Sequence, residues 1–202
     1  MIIMKKNIFL FVAITIICYS CGNSSVSTAA MSEVADSAQT DTLAMYMQKL
    51  DSINNSGKLR HLNIYKLGKM KSIEFQVVSI ESESDTVEYI NLRKDCGGEY
   101  YYDWENASLL AEEVKFFVTA IDTIAANFDK TVANEERYVY ITRDDIRLFS
   151  ANETAGSGKW SADLSVDYHK KNSYININKD DFSALKTLLL KGEQKIKEIR
   201  KR

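Results

Sequence analysis

Covalent or acid–base chemistry needs nucleophiles, bases or metal ligands at set spacings, and this chain carries few of them. Its two histidines, His61 and His169, stand far apart, and no HExxH or paired CxxC accompanies them. A zinc site on either would have to recruit carboxylates from distant segments. His169 precedes Lys170, Lys171 and Asn172, the composition of a solvated turn, and His61 falls near an expected loop. No GxSxG nucleophile elbow occurs; Ser157 lies between two glycines without that motif's spacing. Gly156-Ser157-Gly158-Lys159 fails as a phosphate cradle as well. A P-loop needs glycine where Glu153 stands and Ser or Thr where Trp160 stands. The segment reads as a hairpin connection.

The carboxylates offer two arrangements. Glu81, Glu83 and Asp85 alternate, so an extended chain puts them on one side, where they could gather calcium. The central glycine of an EF-hand loop is missing, and a solvated strand end accounts for all three. Asp144 and Asp145, between Arg143 and Arg147, could form an acid–base pair. Adjacent strand residues point to opposite faces, however, and turn chemistry explains both aspartates. The expectation is no catalytic residue, no metal and no cofactor. Tyr100-Tyr101-Tyr102 with Trp104 is the best binding candidate, and Tyr101 and Trp104 are the expected ligand contacts. Aromatic faces stack on sugars, grip peptides and are enriched at interfaces, although they are also ordinary strand formers.

The N-terminus is the most specific stretch. Lys5 and Lys6 supply a positive start, residues 8–17 are apolar except for Thr15, and Ser20 precedes Cys21. That order is a secretory signal, and the apolar run is shorter than the roughly 20 residues needed to span a bilayer. It resembles the type II signal of bacterial lipoproteins, with Cys21 as the matching lipobox cysteine and Cys18 where that motif usually has Leu. The resemblance covers the first 21 residues. It implies a signal peptide over 1–20, acylation of Cys21 and a membrane anchor through that lipid. A plain secretory signal cut nearby is the competing reading. The residues that follow, Gly22-Asn23-Ser24, lack an aspartate in second place and an acidic cluster. By the same resemblance, that points to the outer membrane, facing the periplasm.

Cleavage before Cys21 leaves 182 residues with 24 basic and 28 acidic side chains, a net charge of −4. A nucleic-acid partner is not expected, since its footprint is a basic excess. Proline is absent, so every backbone N–H is available for pairing. Only Cys21 and Cys96 remain after cleavage. A thioether at Cys21 leaves Cys96 as an odd thiol in an oxidising compartment, read as a shielded thiol in a turn, with an intermolecular disulfide as the alternative.

Residues 21–40 are rich in Ser, Thr and Ala and read as a flexible tether, with one α+β domain over 41–202. A short helix is expected over 41–54, with Leu43, Met47 and Leu50 on its main side and Tyr46 and Ile53 on the flank. Strands are expected at 73–82, 86–93, 100–102, 138–142, 146–150, 160–168 and 174–177, with helices at about 107–128 and 179–200. Strands then a helix recur as a pseudo-repeat, three strands in a unit of about 71–128 and four in one of 136–202. Trp160, Ala162, Leu164, Val166 and Tyr168 alternate with polar residues, the mark of a half-buried strand. Leu110, Val114, Phe117, Ile121, Ile124 and Phe128 form a helical stripe, and Phe182, Leu185, Leu189, Ile196 and Ile199 a broader one. Short connections favour antiparallel pairing. The expected architecture is one antiparallel sheet of about six strands with two long helices on one face.

For function, the expectation is a lipid-anchored envelope protein whose domain binds a protein partner or small ligand without catalysis. A hydrolase with a site of scattered carboxylates, and a structural or assembly factor acting through the wet sheet face or the N-terminal helix, are the alternatives.

Overall fold

The structure, a computed structural model, describes residues 37–201 except 56, 58, 84, 98–103, 153–155, 157 and 171. The elements run α1 (Ser37–Asn55), β1 (His61–Met70), β2 (Ile73–Glu81), β3 (Thr86–Asp95), β4 (Trp104–Leu109) and α2 (Ala111–Asn127). Then come β5 (Glu136–Ile141), β6 (Arg147–Asn152), β7 (Ser161–Ser165), β8 (Tyr174–Ile177) and α3 (Lys179–Ile199). The class is α+β, but the single sheet of about six strands is corrected to two antiparallel meanders of four, β1-β2-β3-β4 and β5-β6-β7-β8. The physical reason lies at the junction: α2 follows β4 directly, so the first ladder ends there and the second starts afresh at β5. Each meander is followed by a long helix; the first has one strand more than the patterning indicates, and the second has the four expected. Two expectations shift with it. β1 lies where no strand is expected, and β4 ends on residues 107–109, expected to open the helix.

The first sheet is covered on both faces. β2 reads Ile-Glu-Phe-Gln-Val-Val-Ser-Ile-Glu, with little alternation, as a strand buried on two sides should. Its register sets Val77 opposite Ile90, and Phe75 opposite Leu92. These inner-face residues share one core with Phe117, Ile121 and Ile124 of α2 and Leu185, Leu189 and Ile196 of α3. The outer-face residues Val78, Ile80 and Val87 pack with Ile53 of α1, and Tyr46 and Leu50 flank them. The contact side of α1 therefore falls on the expected flank, and a third helix covers the face opposite the two long ones.

α3 lies against β1, β2 and β3 of the first meander, although it follows the second. Gly192 makes this approach close: a Cβ there would stand 2.6 Å from Ile90 Cδ1 and 3.0 Å from Leu67 Cδ1. Gly68, at the bulge between Lys66 and Gly68, admits Leu188 of α3 in the same way. The second sheet contributes Leu148, Leu164, Ile175 and Ile177 to the common core, with Tyr140 stacked on Phe117 at 5.3 Å. Its other face bears Val139, Ile141 and Tyr174, all exposed. The expected helical stripes are buried as drawn, apart from Phe128 and Ile199 at their ends, which are partly buried.

Candidate functional site

β1 is the outer strand of its sheet, and its middle residue Tyr65 separates two clefts of about 490 Å³ each. The first lies between Lys66 and Leu67 of β1 and Lys191, Gln194, Lys195 and Glu198 of α3. Helical spacing explains the wall: 191, 194, 195 and 198 share one side of α3, beside its core stripe. Lys195 Nζ lies 4.7 Å from the Tyr65 ring centre and 3.5 Å from Glu198. Lys191 Nζ donates to the Leu67 carbonyl at 2.7 Å.

The second cleft sits where the end of α3 meets α1 and the β2–β3 turn. Tyr46 and Lys49 of α1, Glu81, Thr86 and Glu88 of the strands, and Ile199 and Arg200 line it with Tyr65. Glu88 is 4% exposed and accepts from Arg200 Nε at 3.1 Å; Arg200 Nη1 also donates to Glu112 at 3.1 Å. The guanidinium stacks 4.8 Å from the Tyr46 ring centre. Burial lowers the Arg200 pKa, but the hydrogen bonds it donates to Glu88 and Glu112 outweigh that and raise the value. Burial, with help from Glu112, pushes the Tyr46 phenol up. At physiological pH the pair is a fixed cation on a neutral ring. That suits recognition by charge, stacking and hydrogen bonds rather than proton transfer. Lys49 pairs with Asp85 at 3.4 Å, and Glu81 accepts from Asn63 at 3.1 Å.

The residues singled out from sequence lie elsewhere. Cys21 and Tyr101 fall outside the described residues. Trp104 opens β4 opposite Asp95, half-buried, with the Arg93 guanidinium 3.8 Å from its ring centre. It is a cross-strand neighbour, away from both clefts. Cys96 is half-buried and its thiol donates to the carbonyls of Lys94 and Asn172. His61 opens β1 rather than a loop and sits 3.4 Å from Glu81, while His169 lies in the β7–β8 turn, 3.7 Å from Asp145. Of the carboxylate trio, Glu81 and Asp85 are held by these pairs around the second cleft. Asp144 and Asp145 face different partners: Asp144 binds Ser108, and Asp145 has a positive φ in the turn.

Sequence reasoning missed Tyr65, Lys191, Lys195 and Arg200 as a group. The available signal was the i, i+4 pair Lys191 and Lys195 beside the stripe of α3. Among the described residues no cluster of His, Cys, Asp or Glu could hold a metal ion, and no helix is long and apolar enough to cross a membrane. Comparison of the chain with protein-family models, curated proteins and solved structures finds no match.

Proposed function

We propose that this chain is a lipid-anchored cell-envelope protein whose α+β domain binds a ligand or protein partner, without catalysis, at the clefts flanking Tyr65. The anchor is the acylated Cys21, the segment after it spaces the domain from the bilayer, and the outer membrane facing the periplasm is the proposed location. The order of charged, apolar and small residues before Cys21 supports the anchor. The observation that carries the binding role is the pair of equal clefts sharing one tyrosine, each walled by cations and an aromatic face. Carboxylates that a hydrolase would need are committed to structure: Glu88 to Arg200, Glu113 to two backbone N–H groups, Asp144 to Ser108.

The test for binding is ligand-detected NMR on the full chain in detergent, with a panel of amino acids, oligosaccharides and short peptides. At least one class should bind and weaken tenfold or more on Tyr65→Ala. A panel in which no member responds to that substitution removes the reading. For the anchor, metabolic fatty-acid labelling should disappear in Cys21→Ala; a label that persists refutes it.

A further inference from the structure

We propose that the outer edge of β1, which pairs with no strand among the described residues, takes up an extended acidic peptide as a fifth strand of the first sheet, a reading that rests on the binding role above. β1 is ten residues long and terminal in its sheet. In an antiparallel ladder every second residue of such a strand turns its N–H and C=O away from its neighbour. Leu67 at the bulge already gives its carbonyl to Lys191, so the strand half available to a partner is His61 to Lys66.

A strand laid there presents alternate side chains to the two faces of the sheet. On the outer face Leu62 and Ile64 wait at 53% and 56% exposure, an apolar footing for one set. On the inner face the clefts beside Tyr65 receive the other set. Main-chain hydrogen bonds then provide affinity and the clefts provide selection, the mode of β-strand addition. Charge fixes the chemistry of the partner. Lys191 and Lys195 face a single Glu198 in the first cleft, Lys49 and Arg200 balance Glu81 and Glu88 in the second, and Lys66 adds a cation on the outer face beside Ile64. An aspartate or glutamate of the peptide is favoured in the first cleft, and a lysine is repelled. Lys66 on the edge also discourages pairing with unselected chains, so the same cation that guards the edge selects for acidic partners.

The experiment uses the full chain in detergent and three pools of acetylated, amidated hexapeptides with valine at alternate positions. One pool has glutamate at the intervening positions, a second has lysine, and a third repeats the glutamate pool with N-methylated backbones. The glutamate pool should shift the amide resonances of residues 62–66 and bind at least tenfold tighter than either other pool. Lys66→Glu, an exposed change, should weaken it several-fold, and Lys191→Glu with Lys195→Glu should turn the preference toward the lysine pool. Equal binding of the glutamate and lysine pools, indifference to N-methylation, or shifts confined to other strands overturns the proposal. If no pool touches β1 while another member of the panel still depends on Tyr65, the strand proposal falls and the binding role stands. If neither does, both fall.

Discussion

One oxygen of Asp144 accepts both the backbone N–H of Ser108, at 2.6 Å, and its hydroxyl, at 2.8 Å. Ser108 is on β4, the edge of the first sheet, and Asp144 is in the turn between β5 and β6, so this contact is a polar seam between the meanders. Arg143 completes it, donating its backbone N–H to Glu113 at 3.1 Å and its guanidinium to the Ser108 hydroxyl at 3.0 Å. Asp144→Ala strands a half-buried N–H, and the expected loss is about 1–3 kcal/mol. Urea denaturation measures it; an unchanged midpoint would show that the seam carries no stability.

Gly192 offers a second measurement. Its missing side chain lets α3 reach Ile90, which has no exposed surface. Alanine adds helix propensity of about 1 kcal/mol but overpacks at a cost of about 1–3 kcal/mol. Gly192→Ala is therefore expected to be mildly destabilising and Gly192→Val severely so. Thermal melts of the pair should fall in that order.

At the start of α3, Asn178 accepts the N–H groups of Asp180 and Asp181, and Asp181 returns a bond to the Asn178 N–H at 2.8 Å. Burial raises the Asp181 pKa, but the Asn178 N–H and the Lys71 ammonium, 2.6 Å away, more than offset it, so the carboxyl lies below its ordinary 3.8. With a folded pKa depressed, the native state binds fewer protons than the unfolded chain between the two values. The contribution is present at neutral pH and is lost as the solution is acidified below the ordinary value and through the folded one. Asp181→Asn should flatten that part of the stability–pH curve. An acid limb identical in both proteins contradicts the assignment.

Phe117 is fully buried and stacked on Tyr140. Phe117→Ala should cost about 3–5 kcal/mol, a large share of the roughly 5–15 kcal/mol that holds a domain together. Phe117→Asp adds a buried charge and should leave the chain unfolded. Burial, with Glu113 nearby, pushes the Tyr140 phenol up to about 12. Ultraviolet titration of Phe117→Ala, if folded, should show a tyrosine moving back toward its ordinary value of 10.

Much of this fold was legible in the residues because its helices bury one side only. The stripes of α2 and α3 step by three and four, and Asn178 with Asp181 marks the start of α3 to the residue. β8 has its expected bounds, and β7 differs from its expected span mainly at the ends. β1 was hidden for a physical reason. Leu62 and Ile64 point to the outer face, Tyr65 to the inner, and the bulge before Gly68 shifts the phase, so no period of two spans the strand. β4 was hidden because Leu109 and Leu110 stand side by side, one a strand residue and the other the cap of α2, and both are buried. The clefts draw on residues from Tyr46 to Arg200, a separation that no local spacing reveals. Trp104 stood out by type alone; its role is settled by Arg93, its diagonal neighbour across β3.

The bond from Lys191 to the Leu67 carbonyl joins residues 124 positions apart. The inner face of the first meander is completed by a helix that follows the second, so its core closes only once both meanders and α3 are in place. Loop closure over such a span comes late and slowly. Cutting that helix away would therefore unseat a sheet laid down more than a hundred residues before it.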